Sequence, residues 1–300
     1  MITPIRIGTR ESELALWQAN TVKDALEQQG FPCVLVPISS QGDKQLQTPL
    51  YELGIVGVFT KTLDIALLEG RIDIAVHSMK DVPTALPQGI AQFAVLKRGN
   101  AQDILVHKAP ITQSDTIATG SLRRKAQWLN KYPNHTVVGL RGNVNTRLKK
   151  LEENTWNGAI FAKAGLERIH VLPENHTVLN WMIPAPAQGA IVIAGRQEDT
   201  VNASRCQSIN HQDSAIATHI EREFLKTLEG GCTAPIGAHA IVDNNTVKFI
   251  GCLHSLNGQQ EFKISRNFAL DQATTMGKRL AQELLDTGAR QLMQQIKKEL

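Results

Sequence analysis

The sequence predicts an α/β protein made of two doubly wound domains joined by two crossings, with a small α+β domain at its C-terminal end. Three observations lead there. Short apolar runs, at Ile5 to Arg10, Cys33 to Ile38 and Asp73 to Val76, alternate with stretches of helical period, the pattern of β-α-β crossovers and parallel strands. Several such runs end in an abrupt polar turn, and in open α/β sheets ligands bind beyond the carboxyl ends of the strands. After Ala238 the pattern changes to alternating runs separated by Asp243-Asn244-Asn245 and Asn257-Gly258, which reads as antiparallel hairpins.

Taken in order, Ile5 to Arg10 is a strand closing on a turn, and Ser12 caps a helix with Ala15, Ala19, Val22 and Leu26 on one face, stopped by Gly30. Cys33 to Ile38 returns as a buried strand. Residues 39–57 hold Gly42, Pro49, Gly54 and Gly57 without a sustained period, so they are expected to cover a cleft. Thr60 to Gly70 is a helix, and Lys61 in its first turn either meets a ligand anion or faces solvent. The next strand runs into His77-Ser78-Met79-Lys80-Asp81-Val82-Pro83, where proline forbids further ladder pairing. Ser78, Lys80 and Asp81 are thereby delivered to one strand end. Ile90 to Leu96 is another strand, and the polar break Lys97 to Asp103 suits a crossing between domains.

The second domain repeats the pattern, with strands at Ile104 to His107, Thr116 to Thr119, Thr136 to Leu140 and Gly158 to Ala162. Helices are expected at Ser121 to Lys131, Asn143 to Glu153 and Ala164 to Ile169. Thr119-Gly120-Ser121-Leu122-Arg123-Arg124 places small residues at a helix N-terminus, where free amides and the helix dipole favour an anion. Arg123 and Arg124 oppose that dipole, a cost that makes sense when a carboxylate or phosphate binds there. Arg141 repeats the arrangement after the next strand, Arg147 follows on the helix, and Arg168 closes the series. Proline-rich Trp181 to Ala190 predicts the second crossing, with a return strand at Ile191 to Ala194. A helix from Ser214 to Leu228 precedes Gly230-Gly231 and Cys232, whose small neighbours leave the sulfur accessible, whereas Cys33 and Cys252 lie in apolar runs. Helices at Asp271 to Leu285 and Ala289 to Glu299 finish the chain. The expected domains are 1–97 with 190–210, then 102–186, then 214–300.

Composition narrows the function classes. Three hundred residues with 42% hydrophobic content can build two or three cores. Net charge is +4, and the basic residues gather between 120 and 170 with few aromatics among them, which suits a small polyanion better than nucleic acid. Four scattered cysteines lack Cys-x-x-Cys and nine histidines lack His-Glu-x-x-His, so neither a disulfide framework nor a metal is expected. With no leader and no apolar run of membrane-spanning length, a cytoplasmic location is expected.

Ile7-Gly8-Thr9-Arg10-Glu11-Ser12, Val76 to Pro83, Ser121-Leu122-Arg123-Arg124, Leu140-Arg141-Gly142-Asn143-Val144, Thr146-Arg147-Leu148, Ala164 to Arg168 and Leu228 to Cys232 together resemble the porphobilinogen deaminase (hydroxymethylbilane synthase) family, over nearly the whole chain and in the family's order. The resemblance implies two periplasmic-binding-protein-like domains linked by two hinges. It implies condensation of four porphobilinogen molecules onto a dipyrromethane cofactor held by a thioether at Cys232, with release of ammonia and final hydrolysis to hydroxymethylbilane in tetrapyrrole synthesis. Asp81 is the implied catalytic residue, a buried acid offsetting the cation formed as ammonia leaves. Lys80, Asp81, Arg123 and Arg124 would hold the cofactor. Arg10, Ser12, Lys61, Ser78, Lys80, Thr119, Ser121, Arg123, Arg124, Arg141, Arg147, Arg168 and Gln188 would bind porphobilinogen and its linear oligomers. A monomer is expected, without nucleic acid, membrane or metal. The chain departs from the family pattern at Gly120, where serine is expected, at Lys163, where a small apolar residue is expected, and at Ala187, which stands for glycine. Two rival classes remain: a non-catalytic two-lobed binding protein for a small polyanion, and a nucleic-acid binder using Arg123 to Lys150.

Overall fold

A computed structural model describes residues 3–39, 60–228 and 234–300. Cys232 and all but the first residue of the expected cover at 39–57 lie outside them. The described chain forms two compact units, one comprising the residues up to Gly99 with Gly189–Ala215, the other Asn100–Gln188 and the residues from Ile216 onward.

In the first unit, β1 (Ile5–Thr9), β2 (Cys33–Pro37), β3 (Ile74–Ser78), β4 (Ile90–Val95) and β10 (Ile191–Arg196) form one sheet in the order β2-β1-β3-β10-β4. Alternation along the strands sends Ile5, Ile7, Ile74, Val76, Ile191 and Ile193 to one face and Ala75 and Ala194 to the other. Ala19, Val22 and Leu26 of α1 (Glu13–Gln28) and Cys206 of α6 (Thr200–Gln207) cover the first face. Leu63, Ala66 and Leu67 of α2 (Lys61–Leu68) cover the second. The sheet is doubly wound, as expected, but mixed. β1 pairs in parallel with β2 and β3, whereas β10 runs antiparallel to both β3 and β4. β10 arrives from the other unit, so no crossover within its own sheet dictates its direction.

The second unit contains a sheet of the same topology, β7-β6-β8-β5-β9. Its strands are β5 (Asp103–His107), β6 (Thr116–Ala118), β7 (Thr136–Val138), β8 (Gly158–Ala162) and β9 (His176–Val178). Here β5, the incoming strand, is the antiparallel one, paired with β8 and β9. Trp128 of α3 (Leu122–Lys131) packs with Ile117 and Ile160 on one face. Leu151 of α4 (Val144–Glu153) and Leu166 of α5 (Lys163–Arg168) pack with Ile104, Ala118 and Phe161 on the other.

The same unit holds an antiparallel sheet of β11 (Ile236–Asp243), β12 (Thr246–His254) and β13 (Glu261–Ala269). It packs on α7 (Gln212–Thr227), α8 (Ala273–Leu284) and α9 (Arg290–Glu299) through Ile220, Phe224, Phe249, Leu280 and Leu292. The outer edge of β11 is not left open: Ala238 N donates to Pro184 O at 3.0 Å and Ala240 N to Glu221 Oε1 at 2.7 Å.

Candidate functional site

Parallel pairing of β1 and β3 places Arg10 and the polar residues after β3 at one sheet edge. β3 ends at Ser78, and a single 3₁₀ turn, Met79–Asp81, follows. The turn is anchored by its first residue: Met79 is buried, and its N–H donates to Ala190 O at 3.0 Å just before β10 begins. Lys80 and Asp81 flank this anchor and are half-buried. The buried acid expected at Asp81 is therefore corrected to a half-buried one: a turn with one inward residue leaves its neighbours partly in water. Ser78 Oγ accepts from Nε2 of buried Gln18 at 2.8 Å. His77, one residue earlier, is buried, and burial followed by the charge of Arg10 pushes its pKa down to about 4, so the ring is neutral near pH 7. Ser12 caps α1, its side chain accepting from Ala15 N at 3.4 Å, and Lys61 is exposed at the start of α2.

The second unit builds a different edge from the same parts. β6 ends before Thr119, whose buried Oγ1 accepts from Ser121 N at 3.2 Å, and Ser121 caps α3 by accepting from Arg124 N at 3.4 Å. Arg123 and Arg124 turn inward. Arg123 donates one Nη to Asp103 Oδ2 at 2.7 Å and to Ile183 O at 2.8 Å; Arg124 donates Nε to Asp103 Oδ1 at 3.0 Å and an Nη to Ile160 O at 2.9 Å. Gln188 completes the cluster, donating Nε2 to Asp103 Oδ1 at 2.9 Å and to Ala101 O at 2.7 Å. Burial alone would push the Asp103 carboxyl up; the two guanidinium groups more than reverse this and hold it at about 2.

Two features of this cluster add to the sequence reading. Arg123 and Arg124 do not face the helix dipole without a protein counter-charge, because Asp103 supplies one. Gln188, expected to contact substrate, gives its amide N–H groups to Asp103 and to a backbone carbonyl. Asp103 itself was absent from the expected site. It reaches this edge because β5 runs antiparallel, which brings the amino end of β5 beside the carboxyl end of β8, with Asp103 opposite Ala162.

Arg141 follows β7 half-buried, and burial lowers its pKa. Arg147 Nε donates to Gly142 O at 2.7 Å, tying α4, which Asn143 caps, to the loop before it. Arg168 ends α5, where burial pushes its pKa down to about 10. It lies six residues beyond the end of β8, roughly 9 Å along a helix axis. Lys163 opens α5 and pairs with Glu167 at 3.6 Å, so its departure from the family pattern has a partner on its own helix. Gly120 has a steric reason: a Cβ there would stand 2.4 Å from Leu140 O.

Comparison with known proteins decides the family. A family model described as "Porphobilinogen deaminase, dipyromethane cofactor binding domain" matches residues 5–204, and one described as "Porphobilinogen deaminase, C-terminal domain" matches 215–286. The chain belongs to the porphobilinogen deaminase family. A porphobilinogen deaminase from Moorella thermoacetica is 40% identical over 303 residues, covering 98% of this chain and 96% of its own length. One from Syntrophotalea carbinolica is 39% identical over 298 residues, covering 96% and 95%. Among solved structures, the periplasmic VFT2 domain of Bordetella pertussis BvgS overlaps 70% of this chain and 90% of its own at TM-score 0.43 and 12% identity, too loose a likeness to add to the topology above. The family match displaces the two-lobed binding protein as the alternative reading.

The donor set fits the cofactor named in the family description. Guanidinium groups match carboxylates in charge and two-pronged geometry, and Arg123 Nε is buried without a hydrogen-bond partner among the described residues. The cysteines add a contrast. Burial pushes the thiols of Cys33 up to about 11, and of Cys206 and Cys252 up to about 12, which makes all three poor thiolate nucleophiles.

Proposed function

We propose that the chain is a hydroxymethylbilane synthase, a transferase that joins four porphobilinogen molecules head to tail with loss of ammonia and releases the linear product by hydrolysis. The observation that carries this reading is the family match in both parts of the chain, together with a strand end in unit 1 that presents Asp81. Dipyrromethane, when bound, supplies the free pyrrole α-carbon on which the chain grows. Cys232 would hold it through a thioether, a role supported by the inert state of the other three thiols. Lys80, Asp81, Arg123 and Arg124 would hold its polar groups.

Porphobilinogen carries an acetate and a propionate on its ring, and departure of its ammonia leaves a cationic pyrrole. The residues divide accordingly. In unit 1, Asp81 offsets the positive charge as it develops; at about 4 Å and an effective dielectric near 20 such a pair interacts by roughly 4 kcal/mol. Buried, neutral His77 adds no competing cation at that strand end. Arg10, Ser12, Lys61 and Ser78 would position the ring. In unit 2, Arg141, Arg147 and Arg168 would take side-arm carboxylates, with Thr119 and Ser121 at the capped helix end. The same reading takes the protein as a cytoplasmic monomer with three domains; no helix among the described residues is long and apolar enough to cross a membrane.

Purified protein incubated with porphobilinogen tests the reading. Ammonia should be released as porphobilinogen disappears, and the intact mass should exceed that of the sequence by two pyrrole units, an excess lost in Cys232→Ser. Unchanged porphobilinogen and a mass equal to the bare chain would end it.

A further inference from the structure

We propose that Asp103 is a positioning residue for the anion-binding groups of unit 2: its carboxylate sets where the Arg123 and Arg124 guanidinium groups stand, and so how tightly a carboxylated pyrrole is held. This rests on the proposed function above. Asp103 is fully buried, and Arg123 and Arg124 are only 4% and 5% exposed. One carboxylate thus engages two guanidinium groups, with contacts of 2.7 Å to Arg123 and 2.8 Å to Arg124. The remaining bonds tie the group to two separate parts of the unit, through Ile160 O on β8 and through Ile183 O and Gln188 at two points of the proline-rich segment.

The cluster is more than a buried ion pair. A pair buried for stability alone would match charge for charge, because uncompensated charge in a low dielectric is costly. Here the interior contacts of Asp103 hold two cations to one anion, and Arg123 keeps a buried Nε without a partner among the described residues. An arriving carboxylate would meet both shortfalls. Left without Asp103, two adjacent guanidinium groups would repel each other and lose their shared orientation. With it, their planes are set before a ligand arrives, which lowers the ordering cost of binding.

The full-length protein with its cofactor, as wild type, Asp103→Asn and Asp103→Glu, provides the test. KM and kcat for porphobilinogen are measured on the folded fraction, with thermal midpoint and the fraction of chains carrying the two-pyrrole mass excess. Asp103→Asn should raise KM about tenfold or more, the scale of one charge-assisted hydrogen bond, and lower the loaded fraction. Asp103→Glu keeps the charge one methylene away and should fall between the two. A purely structural role would lower the thermal midpoint while leaving KM of the folded fraction at the parental value; that result overturns the proposal. If Asp103→Asn does not fold, Asp103→Glu decides alone, with raised KM supporting and parental KM overturning it. A wild type that leaves porphobilinogen untouched removes the functional reading and this proposal together, whereas an active wild type with parental KM in the variants removes only the proposal.

Discussion

The two five-stranded sheets share one topology and use it to opposite electrostatic ends. Each has a serine-capped helix after its second strand in spatial order, Ser12 in one and Ser121 in the other, and each takes one antiparallel strand from the segment that enters from the other unit. In unit 1 that strand is β10, and what it brings to the edge is backbone, the Ala190 carbonyl that anchors Met79. The acid of this edge, Asp81, is left half-buried at the turn. In unit 2 the strand is β5, and what it brings is the Asp103 carboxylate, buried under two arginines. The same frame thus shows a carboxylate at one edge and hides one at the other. An accessible carboxylate can answer a transient cation, while a buried one can only arrange the cations that answer a lasting anion.

The sharpest way to break this contrast is to neutralise the accessible acid. Asp81→Asn keeps size and most hydrogen bonding but removes the charge, and turnover should fall by about a thousandfold or more, a barrier increase of about 4 kcal/mol. Thermal midpoint and the two-pyrrole mass excess should stay near wild type, because Asp81 is half-buried and Met79 anchors the turn. Single-turnover rates would check it; a variant within tenfold of wild type would place the charge stabilisation elsewhere.

Acid titration separates the two units next. His77 has a folded pKa of about 4 against 6.5 for the free ring, so below pH 6.5 the unfolded state binds the extra proton and stability falls with pH. Between pH 7 and 4 this amounts to about 3 kcal/mol. Asp103 behaves in the opposite sense on the scale: its folded pKa of about 2 against 3.8 means its stabilisation is complete above about pH 4 and is lost only as pH falls toward 2. Urea midpoints measured against pH should therefore show a first loss that His77→Phe flattens and a second, below pH 4, that Asp103→Asn flattens. A first loss insensitive to residue 77 would contradict the buried neutral ring.

Much of this contrast was legible in the sequence, because it rests on strand ends. Polar turns after short apolar runs located Arg10, Ser78 to Asp81, Ser121 to Arg124 and Arg141, and cap residues such as Ser12, Ser121 and Asn143 are where side-chain chemistry places them. What escaped is what period-2 alternation does not encode. An apolar run looks the same in either direction, so the antiparallel sense of β5 is not visible in it, and Asp103 looks like the end of a polar linker though its arginines lie only about twenty residues on. β9 has three residues, too few to show alternation, and α6, Thr200–Gln207, carries Thr, Val, Asn and Ser, poor helix formers that hide its period. β13 runs to Ala269 although its apolar alternation fades after Ile264, because Ser265, Arg266 and Asn267 are exposed on both faces and break the apolar pattern without ending the ladder.

The smallest effects concern two of the three places where unit 2 departs from its family, Gly120 and Ala187, and they test whether its edge is shaped by the residues present. Gly120→Ser restores the family residue but drives a Cβ to 2.4 Å from Leu140 O; a cost of about 1–3 kcal/mol is expected, read as a lower thermal midpoint. Ala187→Gly should do the reverse. Ala187 has φ of +62°, the left-handed region that costs an L-residue about 1–2 kcal/mol. It is held there by its N–H donating to Glu221 Oε2 at 2.6 Å, while the other oxygen of that buried carboxylate accepts from Ala240 on β11. Glycine relieves the strain but has more freedom to lose on folding, about 0.5–1 kcal/mol. The net gain should be about 0.5–1 kcal/mol, a midpoint raised by about 1–3 °C, with KM unchanged because Gln188 keeps its two acceptors. A lowered midpoint would mean that the Glu221 bonds, rather than the side chain at 187, set the energy of this conformation.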